Sequence, residues 1–111
     1  MTDVSTHVLD TARGRPAGEV GVTLDVWAGG GWSSLGSSVT GADGRIRDLP
    51  GPDLTAPTAC RLTFAVRDYL ETHHGGAFFP EITVVFVAEP GQHYHVPLLL
   101  APFGYSVYRG S

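Results

Sequence analysis

Val20-Gly-Val-Thr-Leu-Asp-Val-Trp-Ala28 alternates side by side between apolar residues and small, polar or aromatic ones. Val20, Val22, Leu24, Val26 and Ala28 fall on one face of an extended chain, and Gly21, Thr23, Asp25 and Trp27 on the other. A helical period would scatter the five apolar residues around its axis, so this stretch is a half-buried β-strand. Gly29-Gly-Gly31 ends it in a turn. Trp32 to Thr40 then reads as a weaker strand pair or a bulged strand, interrupted at Gly36.

Working outward, Val4 to Leu9 is a first strand closed by Asp10. Val4, Thr6 and Val8 share one face; Ser5, His7 and Leu9 share the other. Thr11 to Glu19 contains Gly14, Pro16 and Gly18 and reads as loop. Gly41-Ala-Asp-Gly44 is a tight turn, and Arg45-Ile-Arg47 follows it directly, where a side chain can be aimed into a cleft. Asp48 to Pro57 is rich in Pro, Gly and Asp and is expected to be loop. Thr58 to Val66 is a strand with Cys60, Leu62, Phe64 and Val66 on one face.

The period then changes. Val66, Tyr69, Leu70 and His73 sit at helical spacing, predicting about two turns of helix over 67–74, ended by Gly75-Gly76. His73 and His74 suit a helix C-terminus, which favours cations. Glu81 to Ala88 is apolar on both faces and is expected to be a central or sandwiched strand. His93 to Leu100 is a strand whose Pro97 calls for an edge or a bulge, because proline removes a ladder donor. Tyr105 to Arg109 is a last short strand. Short strands, Gly/Pro turns and one brief helix predict an all-β chain: a two-sheet β-sandwich of about eight strands, one domain over 1–111.

Composition narrows the function classes. Net charge is −4 and the seven basic residues are scattered arginines, which argues against nucleic acid or an anionic membrane as partner. No apolar run reaches the length of a membrane span, and the first residues have no signal-peptide pattern. Only 16% of residues are charged, as expected where part of the surface meets another subunit. The single Cys60, in a strand, is expected to be a buried, inert thiol; it fits a reducing compartment, and a cytoplasmic location is expected.

Two of the five histidines, His93 and His95, lie two residues apart beside the apolar run Val96 to Leu100. On a strand both would share a face. They could present two nitrogens to one metal with His7 or an acid as third ligand, act as acid–base groups, or be structural. His7 suits general-base work near neutrality, and Arg45 can hold an anion or a developing oxyanion. Asp43 is expected to form its turn. Ser111 carries both a hydroxyl and the terminal carboxylate; no Gly-x-Ser-x-Gly elbow is present.

Ser5-Thr-His-Val-Leu-Asp10, Thr40-Gly-Ala-Asp-Gly-Arg45, His93-Tyr-His-Val-Pro-Leu-Leu-Leu100 and Tyr105-Ser-Val-Tyr-Arg-Gly-Ser111 together resemble the transthyretin-like family. The Tyr108-Arg-Gly-Ser111 ending and the histidines resemble its 5-hydroxyisourate hydrolase branch and not its hormone carriers. The resemblance implies two four-stranded sheets with one short helix. It also implies a homotetramer built as a dimer of dimers, with sites at the dimer–dimer interface. It places catalytic roles on His7, Arg45 and His95, with Ser111 completing the site. Tyr108, Arg109 and the less critical His93 would contact substrate. The implied reaction opens 5-hydroxyisourate to 2-oxo-4-hydroxy-4-carboxy-5-ureidoimidazoline, with no metal and no organic cofactor. A small-ligand carrier on the same sandwich is the competing reading.

Overall fold

The computed structural model describes residues 2–111. Among them are ten strands and one helix. The strands are β1 (Asp3–Asp10), β2 (Arg15–Pro16), β3 (Gly21–Ala28), β4 (Gly31–Val39), β5 (Arg45–Pro50), β6 (Thr58–Ala65), β7 (Glu81–Ala88), β8 (His93–His95), β9 (Leu98–Ala101) and β10 (Gly104–Val107). The helix α1 spans Arg67–His74. The excess over eight strands has two causes. The expected 11–19 loop contains the two-residue β2, and Pro97 splits the late strand into β8 and β9.

One sheet runs β4-β3-β6-β7, all antiparallel. The alternation that marks β3 and β6 sends Val22, Leu24, Cys60, Leu62 and Phe64 inward, all at most 1% exposed. Leu24 lies opposite Gly36 but Asp25 lies opposite Ser34, so Leu35 is the extra residue of a bulge in β4. The other sheet is organised around β1. One edge of β1 pairs with β5 and β2, the other with β8 and β9, and β10 lies outside β9. Val4 and Val8 of β1 and Leu98 and Leu100 of β9 meet the inward residues of the first sheet in one core. Each fully buried aliphatic or aromatic side chain there contributes roughly 1.5–3 kcal/mol.

Two expected features differ. β7 is an edge strand, paired only with β6. Its inner residues Ile82 and Ala88 are buried, but Val85 and Val87 stay 59% and 63% exposed. A strand apolar on both faces therefore reports an uncovered outer face here, not a central position. The expected 48–57 loop begins later, because β5 continues through Asp48 and Leu49 to Pro50 and pairs with the start of β1. The last strand also ends at Val107 rather than Arg109.

α1 packs Tyr69 and Leu70 inward. It is locked by Asp10, which is 1% exposed. Tyr69 donates its hydroxyl to Asp10 Oδ2 at 2.7 Å, and His74 Nε2 lies 2.8 Å from the same oxygen. The backbone N–H groups of Ala12 and Arg13 donate to Oδ1 at 3.1 and 3.0 Å. His74 thus has a specific partner beyond the helix dipole. Burial alone would raise the Asp10 pKa; the hydrogen bonds from Tyr69, His74 and the Arg13 N–H outweigh it and hold the carboxyl below its ordinary value. Cys60 is buried and free, and burial pushes its thiol up, as expected of an inert one. Among the described residues, no helix is long and apolar enough to cross a membrane.

Asp10→Asn keeps the shape but loses the charge-assisted bonds, so it is expected to lower unfolding free energy at pH 7 by about 1.5–3 kcal/mol. Because the native carboxyl titrates below the unfolded one, that difference is full at neutral pH and shrinks as pH falls through the carboxylate range. Urea melts at pH 7 and pH 3 check it; an equal deficit at both would contradict the linkage.

Candidate active site

The two-residue period of β1 decides which side chains reach the site. Val4, Thr6 and Val8 turn to the interior, and Ser5 and His7 turn outward. Parallel pairing with β8 sets Asp3 opposite His93 and Ser5 opposite His95. Antiparallel pairing with β5 sets His7 opposite Arg45. Residues roughly forty and ninety positions apart thereby share one outer sheet face. The Asp-Gly turn that aims β5 depends on Gly44, whose φ is +76° and whose added Cβ would lie 2.4 Å from the Val8 carbonyl oxygen.

This face holds a cavity of about 360 Å³. Ser5, Arg45, Arg47, His93, His95 and Ser111 line it, together with Thr6 and Ile46. Ser5 Oγ lies 2.8 Å from His95 Nδ1 and 3.0 Å from His93 Nε2. His93 Nδ1 in turn bonds the Asp3 carboxylate. His7 is adjacent rather than lining: its Nε2 lies 2.9 Å from the Asp43 carbonyl oxygen, so that nitrogen carries the proton and donates. Asp43 is a turn former, accepting from the Arg45 N–H at 3.0 Å and from Arg47 at 3.0 Å.

Electrostatics single out His95. Burial pushes its pKa below the ordinary value, and the Arg45 guanidinium, then the neighbouring His7 and His93 rings, push it further; a hydrogen bond to the Ser5 backbone opposes this. A neutral imidazole at physiological pH is the form that can take a proton from water.

The C-terminal tail closes on this ring. The Gly110 N–H donates to the His95 carbonyl at 2.8 Å. A Cβ on Gly110 would stand 2.6 Å from His95 Cδ2, so only glycine lets the backbone cross the imidazole this closely. Ser111 follows into the cavity. One chain therefore brings Arg45, His93, His95 and Ser111 together, with His7 beside them. It does not bring Tyr108 and Arg109. They line a second cavity of about 240 Å³ with Phe86, Tyr94 and Val107. The Arg109 guanidinium lies 4.8 Å over the Tyr94 ring.

Ser5, Asp3 and the Asp43 carbonyl are the site residues that sequence reasoning passed over. The available signal was Ser5, two residues before His7 and on the same strand face. Among the described residues, no group of three or more His, Cys, Asp or Glu is placed to hold a metal ion; His93 and His95 converge on Ser5 instead.

Residues 4–110 match the model of the HIUase/Transthyretin family. A 5-hydroxyisourate hydrolase from Salmonella dublin is 43% identical over 109 residues, covering 97% of this chain and 80% of that protein. The structure of Klebsiella pneumoniae 5-hydroxyisourate hydrolase superposes with a TM-score of 0.84 at 34% identity, covering all of both chains. Transthyretin from Sparus aurata superposes with a TM-score of 0.86 at 31% identity, over 96% of this chain and 95% of that one. Fold likeness alone thus spans enzymes and transthyretins, and both lie within one family. With the parallel β1–β8 pairing, the two-sheet core and the matched 107-residue span (4 to 110) all agreeing, this chain belongs to the HIUase/Transthyretin family.

Proposed function

We propose that the chain is a 5-hydroxyisourate hydrolase acting in urate degradation through metal-independent general acid–base catalysis. The observation that carries this reading is the meeting of Arg45, His95 and the terminal Ser111 in one polar cavity. The similarity to 5-hydroxyisourate hydrolases over nearly the whole chain supports the same substrate. A carrier cavity favours an apolar lining; charged and imidazole groups dominate this one.

The substrate presents a ring amide. His95, held neutral by burial and by the Arg45 guanidinium, takes a proton from water as the oxygen attacks the amide carbon. Negative charge moves to the carbonyl oxygen, where the Arg45 guanidinium stabilises it. The carbon–nitrogen bond then breaks, and the leaving nitrogen takes a proton from His7. Ser111 positions substrate or water through its hydroxyl. The new carboxylic acid returns its proton to His7, and His95 releases the water proton to solvent; the products are a carboxylate and the NH2 of a ureido group, as in 2-oxo-4-hydroxy-4-carboxy-5-ureidoimidazoline. His93 supports the substrate side of the cavity.

The reading extends to a homotetramer, a dimer of dimers, in which Tyr108 and Arg109 contribute to a site across the interface. The open β7 edge with exposed Val85 and Val87, and exposed Phe78, Phe103 and Tyr105, support such association. A cytoplasmic setting is in keeping with a single buried thiol.

His95→Asn is expected to reduce turnover of freshly generated 5-hydroxyisourate by roughly 10²–10⁴-fold with the fold retained. Loss of substrate ultraviolet absorbance measures it, and wild-type turnover in that variant would remove His95 from the mechanism. The wild-type rate is expected to survive exhaustive chelation; a rate abolished by chelator and restored by one metal would replace this mechanism. Deleting Ser111 is expected to lower kcat by at least about tenfold while circular dichroism stays unchanged. Unaltered kinetics would mean that the terminal residue contributes nothing to the site.

A further inference from the structure

Four side chains form an unbroken line on the outer face of the β1 sheet: Asp3, His93, Ser5 and His95. Their proton order follows from donor counting. A carboxylate only accepts, so His93 Nδ1 carries a proton and donates to Asp3. With His93 in its neutral form the imidazole has one N–H, which leaves Nε2 as an acceptor. Ser5 has one hydroxyl proton, so it donates to His93 Nε2. The Ser5 oxygen is then left to accept, and its second partner, His95 Nδ1, must be the donor. His95 Nε2 is the nitrogen that ends the line without a proton. The tail backbone crosses the ring at Cδ2, the carbon bonded to Nε2, immediately before Ser111.

We propose that Asp3, His93 and Ser5 are positioning residues that fix the tautomer of His95, so that its bare Nε2 faces the reacting water. The inference rests on the hydrolase reading and adds the group that sets which nitrogen works. Free histidine favours the opposite tautomer, with the proton on Nε2, so the base needs such a device. Asp3 is the anchor: it is the only member of the line that cannot donate. His93 acts here through Ser5 on His95, a role distinct from touching substrate.

The test uses the full-length protein with ¹⁵N-labelled histidine. Long-range proton–nitrogen correlation spectra at pH 8 report which ring nitrogen of His95 is protonated, and assays report kcat and KM separately. In the wild type the Nδ1–H form is expected. Ser5→Ala should shift His95 toward Nε2–H and lower kcat at least about tenfold, since the wrong tautomer forfeits part of a general-base contribution of roughly 10²–10⁴. KM should stay within about twofold, as expected when a ground-state contact is not removed. Asp3→Leu, at an exposed position where folding is not at stake, should move both readouts the same way. Asp3→Glu should hold both readouts nearer the wild type than Asp3→Leu does, because a carboxylate can only accept from His93. A wild-type His95 protonated on Nε2 would overturn the proposal. So would Asp3→Leu with unchanged tautomer and kcat. The expected tautomer without any turnover would instead overturn the hydrolase reading and leave the bonded line standing.

Discussion

The molecule depends on β1 being paired along both edges. Its first half is gripped by β5 on one side and β8 on the other, its second half by β2 and β9. That placement buries Val4 and Val8 completely, so a one-residue slip would turn these valines outward and drive Ser5 and His7 into the core. Register is therefore defended by hydrophobic burial, and the catalytic geometry inherits it. The same strand that organises the sheet also fixes the distance from Ser5 to His95 and the pairing of His7 with Arg45.

The far end of β1 is tied with equal care. Asp10 caps the following turn and anchors α1 through Tyr69 and His74, with no unpartnered buried side-chain polar atom among the described residues. A strand bounded by a packed helix at one end and paired on both edges at the other gives the site a firm base. The tail completes it: a short stretch laid across His95 through Gly110, which carries Ser111 to the cavity without needing a helix or a long loop. Catalytic groups on such a scaffold hold their orientation at little entropic cost during reaction.

Much of this was legible in the residues. The alternation of 20–28 and 58–66, the helical spacing from Val66 to His73, the Asp-Gly turn and the break at Pro97 each have a local physical cause. The resemblance of four motifs supplied the family. What local pattern could not supply was pairing. Nothing near Ser5 announces that a strand ninety residues later will lie beside it in parallel, so its contact with both histidines stayed hidden. β7 misled for a related reason. Valines on both faces look alike whether the second face meets a sheet or awaits another surface. Tyr108 and Arg109 share a motif with Ser111 yet line another cavity, where the Arg109 guanidinium sits over the Tyr94 ring, a contact that adjacency in sequence does not announce.

Catalysis depends on His95 being a neutral base, kept unprotonated first by burial and then by the Arg45 guanidinium reaching over from β5. Its folded pKa lies below the ordinary histidine value of 6.5, so the working form is complete above that value and is lost as pH falls through the depressed one. The direct measurement is kcat/KM for 5-hydroxyisourate across the acid range, which reports the free enzyme's essential base. An acid limb centred below pH 6.5 is the predicted result. A limb centred above that value, or no acid limb carried by His95, would contradict it.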